Sequence, residues 1–172
     1  MQSKESNNGS TMNSIYRTVA NQSVYVLFFW FFVVAVLYNW GTSELMAVLT
    51  PGSLKAKAMD EFSLPVVFIT LVLAAPLLET LFGQFIPIEL LLRFEATLNP
   101  VVYLLTSTIV FAVAHSYNWV YILVMLFPGF LLAAYYGLLR HRWGTRTAFW
   151  WVAALHASIN LISFFVNYIL KE

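Results

Sequence analysis

Three ionisable side chains lie within the long apolar stretches of this 172-residue sequence: Glu79, His115 and His156. Asn160 follows His156 by four residues, which places both on one helical face. Titratable groups are costly in lipid, so each of the three is a candidate functional residue. A carboxylate, two imidazoles and an amide are groups that can activate a water and stabilise a developing oxyanion. The sequence therefore indicates acid–base chemistry inside a membrane.

Weaker polar candidates accompany these groups. Thr80 and Gln84 follow Glu79 and are four residues apart, on a shared helical face. For a single hydroxyl such as that of Thr108, an interhelical hydrogen bond is the simplest explanation. A lone carboxylate is too costly to leave in lipid without a partner or a use. The functional hypothesis therefore depends on Glu79 and the two histidines.

The composition is that of a membrane protein. Hydrophobic residues make up 60% of the chain, aromatic residues 17% and charged residues 10%, and the mean hydropathy is +0.76. A soluble domain of this size has too little interior to bury so much apolar surface. A soluble two-domain enzyme, a nucleic-acid-binding protein and a disordered scaffold are therefore excluded. The formal net charge of +1 gives no reason to expect a polyanionic partner, and the absence of cysteine excludes thiolate nucleophiles and iron–sulfur clusters.

Five apolar runs are long enough, or nearly so, to cross a bilayer, which requires about 20 helical residues. They are Val24–Trp40, about Leu64–Leu92, Pro100–His115, Trp119–Leu139 and Thr147–Leu170. The sequence thus predicts an all-α, polytopic membrane helix bundle with about five transmembrane helices. Residues 1–23 are a polar N-terminal tail, and residues 24–172 are a single membrane-embedded domain with its core at about 64–170.

The second predicted span contains two features of its own. Glu89 and Arg93 are four residues apart near its end and predict an interfacial salt pair. Three prolines interrupt the same span and predict kinks: Pro65, Pro76 and Pro87.

The basic residues predict an orientation. The segment Arg140–Arg146 contains three arginines, which favours the cytoplasmic side of the membrane. Five alternating spans then place the N-terminus in the cytoplasm and the C-terminus outside.

Simple geometry places the candidate groups at one depth. If the second and third spans form an antiparallel hairpin, Glu79 and His115 each lie about 27 Å from its turn. If the fourth and fifth spans do the same, His156 lies about 18 Å and Asn160 about 24 Å from theirs. Residues far apart in sequence are thus predicted to form one layer, and the kinks at Pro76 and Pro87 make each depth good to about one helical turn.

Several kinds of intramembrane protease have signatures that this sequence lacks. It has no Gly-x-Ser-Gly nucleophile turn of the rhomboid kind and no His-Glu-x-x-His zinc motif. A paired-aspartate protease needs two intramembrane aspartates, whereas the single aspartate, Asp60, lies in a loop. One glutamate, two histidines and an asparagine remain as the chemical groups.

These groups belong to three motifs that follow one another on successive predicted spans. The segments are Ala75-Pro-Leu-Leu-Glu-Thr-Leu-Phe-Gly-Gln84, Phe111-Ala-Val-Ala-His115 and His156-Ala-Ser-Ile-Asn160. They resemble the CAAX-protease and bacteriocin-processing family of intramembrane endopeptidases, which is similar to the type II CAAX prenyl endopeptidases. The family pattern is Glu-Glu-x-x-x-Arg, then Phe-x-x-x-His, then His-x-x-x-Asn. The resemblance covers roughly residues 64–162.

The resemblance implies a glutamic-type endopeptidase that needs no metal or other cofactor. Glu79 would be the general base that activates a water, and His115 would orient that water or share its proton. His156 and Asn160 would donate hydrogen bonds to the oxyanion. The implied substrate is a membrane-anchored or lipidated peptide or protein, with the lipid bilayer as second partner and no nucleic acid.

The first motif departs from the family pattern at two positions. Thr80 stands in place of the second glutamate and Gln84 in place of the arginine. The two changes together remove one negative and one positive charge, which is easier to accept in lipid than the loss of one partner alone. Both residues are expected to support the site by hydrogen bonding, and any mechanism that needs a second carboxylate is in doubt.

Other interpretations stay open at this point. Glu79, His115 and His156 could together hold zinc. A non-catalytic family member could act as a membrane scaffold, chaperone or immunity protein. The two histidines could bind haem, but that would leave Glu79 and Asn160 unexplained. The chain could also be a transporter, but a single intramembrane carboxylate is fewer than a proton pathway usually needs.

The predicted location is an integral membrane position with the N-terminus in the cytoplasm. The small size favours a prokaryotic plasma membrane. The substrate itself is not named by the sequence, because the family processes prenylated CAAX termini, peptide precursors and C-terminal sorting tails.

Overall fold

The computed structural model describes residues 22–49, 62–95, 98–116 and 118–170. Within these ranges the chain forms five helices and no β-strand, which confirms the predicted all-α membrane bundle. Most of the predicted polar tail lies outside the described residues. The helices are α1 (Val24–Leu49), α2 (Leu64–Phe94), α3 (Pro100–Ala114), α4 (Trp119–Trp143) and α5 (Thr145–Ile169).

Four of these helices are long and apolar enough to span a membrane, namely α2, α4, α5 and the part of α1 at Val24–Glu44. Helix α3 is shorter, since its 15 residues reach about 22 Å whereas the hydrocarbon core is about 30 Å thick. It ends at Ala114 because His115 leaves the helical conformation, with φ −96° and ψ 37°. The third predicted span is therefore a shorter apolar helix within the bundle.

Helix α2 alternates between α-helical and π-helical turns. The π-helical segments are Ile69–Ala74 and Thr80–Phe85, and a proline follows closely after each, Pro76 and Pro87. Proline has no N–H, and its ring excludes the carbonyl four residues earlier, so the regular ladder is broken there. The residue before each proline donates its N–H to the carbonyl five residues earlier. The irregularity predicted from these prolines thus takes the form of π turns.

The core lies around α4, which contacts the other four helices. Its buried side chains pack against α2, α3 and α5, and the cluster includes Ile88, Phe111, Leu132, Tyr135, Tyr136, Leu139, Val152 and Leu155. Helix α1 packs on this core through aromatic contacts. The ring of Phe31 lies 4.7 Å from that of Tyr135, and the ring of Phe28 lies 5.6 Å from that of Trp151. The bundle therefore has a main apolar core with α1 at its side, and a second, smaller cluster around Val67, Val72 and Phe164 joins α2 to α5.

A charged cluster joins α2, α4 and α5 near one end of the bundle. Arg140 donates to Glu89 twice, from Nε to Oε1 at 2.5 Å and from Nη2 to Oε2 at 3.1 Å. Tyr136 and Thr145 also donate their hydroxyls to Oε1, at 2.8 and 3.3 Å. The predicted pairing of Glu89 with Arg93 is wrong, because Glu89 turns toward α4 whereas Arg93 is exposed.

The connection between α4 and α5 consists of one residue, Gly144. Its φ of +83° lies in the left-handed region, which glycine adopts without strain. Beside it, Arg142 stacks on the ring of Trp143 at 4.4 Å and donates to the Gln22 carbonyl oxygen. The start of α1 and the α4–α5 turn therefore lie at the same end of the bundle.

The variant Glu89→Ala is expected to lower the free energy of unfolding by about 2 kcal/mol, because the Arg140 guanidinium and the Tyr136 hydroxyl lose their shared acceptor. Thermal unfolding of the purified protein in detergent micelles measures the change. Arg93→Ala, at an exposed position of the same helix, is the control and should shift stability by less than about 0.5 kcal/mol. Equal losses in the two variants would contradict the role of Glu89 in this cluster.

Candidate functional site

Glu79 ends the short α-helical segment between the two π segments of α2. Its side chain keeps 29% of its surface exposed. Its Oε2 atom lies 3.4 Å from His115 Nε2 and 3.3 Å from His156 Nε2. The three ionisable groups predicted to be functional thus come from different parts of the fold. Glu79 lies on α2, His115 directly follows α3, and His156 lies on α5.

A proline in α2 creates an acceptor that holds α3. Pro87 has no N–H to donate to the Gly83 carbonyl four residues earlier. Ser107 of α3 donates its hydroxyl to that oxygen instead, at 2.7 Å, and Ser107 itself is fully buried. The bond fixes α3 against α2 one turn beyond Glu79.

A second acceptor on α2 holds α5. The N–H of Ala75 bonds to Thr70 rather than to Leu71, and the next residue, Pro76, has no N–H. Asn160 of α5 donates its Nδ2–H to the Leu71 carbonyl at 2.9 Å. A carbonyl within lipid must find its donor inside the protein, so this bond fixes α5 against α2.

Phe111 lies at the closest approach of three helices. A Cβ atom added at Gly83 would lie 3.0 Å from Phe111 Cδ2, and one added at Gly129 would lie 2.9 Å from Cδ1. The ring of Phe111 also lies 4.5 Å from the imidazole of His115. The two glycines therefore leave the space that lets Phe111 pack between α2 and α4 and support the histidine.

The backbone of Phe111 fixes the tautomer of His115. Its carbonyl oxygen lies 2.8 Å from His115 Nδ1, and since a carbonyl only accepts, Nδ1 is the donor. Neutral His115 therefore presents a lone pair at Nε2, toward the Glu79 carboxylate oxygen. A proton taken up by Glu79 can therefore be shared with His115 through this lone pair.

Thr80 and Gln84 are fully buried. Over the described part of the chain, Thr80 Oγ1, both amide atoms of Gln84 and His156 Nδ1 have no hydrogen-bond partner. Neither Thr80 nor Gln84 lines the cavity beside Glu79. Their support of the site stays a prediction.

A cavity of about 300 Å³ lies beside the Glu79 carboxylate. Glu79, His115, His156 and Asn160 all line it. The four residues predicted to share one depth therefore meet at one cavity, while their catalytic roles stay predictions.

Residues that the sequence reading did not single out complete the cavity wall. Tyr38, Asn39, Thr42 and Ser43 of α1 line it as well. Their spacing of three and four residues in an otherwise apolar helix is a signal that could have identified them. The glycines beside Phe111 had no such signal, because a close helix contact depends on how two helices are rotated toward each other.

The donor atoms around Glu79 are of the types that zinc accepts. Among the residues that the structure describes, however, no group of three or more His, Cys, Asp or Glu side chains is arranged to hold a metal ion. The alternative of a zinc site thus remains a question for experiment.

Comparison with known proteins gives one match. A family model described as type II CAAX prenyl endopeptidase Rce1-like matches residues 61–162, which is more than half of the chain. The match takes in α2, α3, α4 and most of α5, including the three motifs, and leaves out α1. No curated protein and no solved structure matches the chain.

The variant Gly129→Ala is expected to lower the free energy of unfolding by about 1–3 kcal/mol, because the added methyl group overpacks the contact with Phe111. It would also lie 3.2 Å from the Thr108 carbonyl oxygen, which cannot move away as a side chain can. Gly137→Ala on the same helix is the matched control, since its nearest contact would be an ordinary 3.5 Å. Thermal unfolding in micelles compares the two, and equal stability of both variants would contradict the tight packing at Phe111.

Proposed function

Because the chain belongs to the type II CAAX prenyl endopeptidase Rce1-like family and is therefore a membrane protease, we propose that it hydrolyses its substrate with a water activated by Glu79. The observation that supports this most directly is the meeting of two imidazoles at one carboxylate oxygen on a cavity wall. A general base must be within reach of both its water and a group that can share the proton. Glu79 borders a cavity that can admit water and faces two imidazoles, which supports this role.

The proposed reaction balances with these groups alone. Glu79 takes a proton from water, and the hydroxide attacks the scissile carbonyl carbon to form a tetrahedral oxyanion. The C–N bond then breaks, and the leaving nitrogen takes up the proton. His115 is well suited to share that proton, because its Nε2 lone pair is directed at the carboxylate by the hydrogen bond at Nδ1.

His156 and Asn160, one turn apart on α5, are proposed to hold the oxyanion. Asn160 uses one Nδ2–H for the Leu71 carbonyl, and its second N–H remains available as a donor. His156 Nδ1 has no hydrogen-bond partner among the described residues, so no contact forces the proton away from Nε2. Both side chains line the cavity that would receive the scissile bond.

The neutral pair Thr80 and Gln84 is compatible with a mechanism that uses a single carboxylate. Both side chains are fully buried, and an unpaired charge at either position would be strongly unfavourable. We therefore propose that Glu79 acts without a second carboxylate and that Thr80 and Gln84 have a supporting role.

The family implies a membrane-associated, prenylated protein as substrate. We propose that the substrate is a membrane-anchored or lipidated terminus and that the N-terminus of the enzyme is cytoplasmic. The bond between Arg142 and Gln22 puts the start of α1 beside the arginine-rich turn. Three arginines at that turn favour its cytoplasmic placement.

The variant Glu79→Gln keeps the size of the side chain and removes the base, so kcat is expected to fall by about 10²–10⁴-fold. The measurement is hydrolysis of a prenylated CAAX peptide by the purified protein in liposomes. Glu95→Gln, at an exposed position just beyond α2, is the matched control and should keep the wild-type rate. A Glu79→Gln protein that retained full function in cells would support a non-catalytic scaffold instead.

Metal independence has a separate test. Treatment of the purified protein with a strong chelator is expected to leave the hydrolysis rate unchanged, because a carboxylate base activates water without an ion. Complete inhibition that is reversed by added zinc would show that Glu79, His115 and His156 hold a catalytic metal.

A further inference from the structure

Helix α1 has a polar face that the proposed reaction does not use. Four of its polar residues line the cavity together with four from α5: Tyr38, Asn39, Thr42, Ser43, His156, Asn160, Ser163 and Asn167. The side chains of Leu37, just before these residues, and of Trp40, between them, are exposed, at 57% and 66%, and do not line the cavity. Polar groups in a membrane helix are costly unless they are satisfied or used. We therefore expect the polar residues on this face of α1 either to form hydrogen bonds within the protein or to bind a ligand.

Two of the four α1 residues have a structural role. Tyr38 donates its hydroxyl to the Val124 carbonyl at 2.8 Å, and its ring stacks on Phe127 with centroids 4.3 Å apart. Thr42 donates its hydroxyl to the Tyr38 carbonyl at 2.7 Å. The contacts of Tyr38 hold α1 against α4, and the Thr42 hydroxyl is satisfied within α1.

Asn39 and Ser43 are left without such a role. Neither side chain has a hydrogen-bond partner among the residues that the structure describes, although both line the cavity. Each can donate and accept a hydrogen bond. The two residues are four positions apart, so they are separated by about 6 Å along the helix axis. Alternate residues of an extended peptide, whose backbone groups face the same side, repeat at nearly the same distance, about 6.6 Å.

We propose that Asn39 and Ser43 bind the backbone of the substrate peptide and hold it extended along α1, with its scissile bond at Glu79. The proposal rests on the proposed function, since the peptide is the substrate of Glu79. It assigns substrate binding to a helix outside residues 61–162, the part of the chain that the family model matches.

The polar side chains of Asn39 and Ser43 favour a peptide over an alkyl or prenyl chain on the α1 side of the cavity. A hydrocarbon chain cannot satisfy an amide or a hydroxyl, and it would leave both buried without a partner. A separate groove lined by Leu64, Pro65, Phe68, Ile69 and Phe164 is wholly apolar, which is the lining that a hydrocarbon chain requires. The polar face of α1 is therefore assigned to the peptide part of the substrate.

Binding is measured apart from catalysis, in a Glu79→Gln background, with a fluorescent farnesylated peptide that ends in a CAAX sequence. Asn39→Leu and Ser43→Ala are each expected to weaken binding by about three- to tenfold, the range for one lost hydrogen bond. In the protein with Glu79 intact, the same changes should raise KM and leave kcat nearly constant. Because the binding experiment needs no cleavage, it stands even if the proposed reaction fails.

Two substitutions serve as matched controls. Trp40→Leu changes an exposed residue of the same helix, and Ser158→Ala removes a hydroxyl that bonds within α5 and does not line the cavity. Both should bind the peptide as the parent protein does. Unchanged binding in Asn39→Leu and Ser43→Ala, equal loss in the controls, or no binding by the parent protein would each overturn the proposal.

A second measurement does not depend on how well the variants fold. Each backbone N–H of the peptide is replaced in turn by an N-methyl group, and binding is compared between the parent protein and Asn39→Leu. At the position that Asn39 binds, methylation should weaken binding to the parent protein and have little further effect on Asn39→Leu, since the two changes remove the same bond. Equal penalties in both proteins at every position would show that Asn39 does not accept a hydrogen bond from a backbone N–H of the peptide.

Discussion

Two carbonyl groups of α2, those of Leu71 and Gly83, determine how the helices around the site are arranged. The prolines that follow them cannot donate an N–H, and in lipid a carbonyl has to be satisfied within the protein. Asn160 of α5 and Ser107 of α3 supply the missing donors. The same two helices present the histidines that meet the glutamate. The need to satisfy the backbone and the need to assemble the reactive groups are therefore met by one set of contacts.

Helix α2 also organises the charges of the bundle. Within the described residues, both carboxylates that form ion pairs lie on it, Glu79 and Glu89. Ten residues separate them, which corresponds to about 15 Å along a helix. The arginine partner of Glu89 joins α2 to α4 near the Gly144 turn, whereas the partners of Glu79 are imidazoles, whose ring nitrogens can donate or accept a hydrogen bond. Helix α2 is thus held to α4 by an ion pair near its end, and its central carboxylate faces two imidazoles.

The depth of the site could be predicted from the sequence, because the distance of a residue from a helix end follows from the number of residues between them and the rise of about 1.5 Å per residue. Glu79 and His156 are 77 residues apart and still fall in one layer once the two hairpins are drawn. The partner of Glu89 could not be predicted, since it depends on the rotation of α2 relative to α4, and spacing within one helix does not report that rotation. The close contact of Phe111 with Gly129 was missed for the same reason. The polar residues of α1 have a helical spacing that the sequence shows, but only the structure shows that they line the cavity.

The one-residue turn at Gly144 has a consequence for the biogenesis of this protein. Two membrane helices with no loop between them enter the bilayer as one hairpin, because neither can reverse while the other stays in place. Inversion of that hairpin would carry the three arginines at its turn through the hydrocarbon core, which is strongly unfavourable. Since α5 is synthesised after α2 and α3, Glu79 has only His115 as an imidazole partner until this hairpin inserts. The meeting of both imidazoles with Glu79 therefore depends on the insertion of this hairpin.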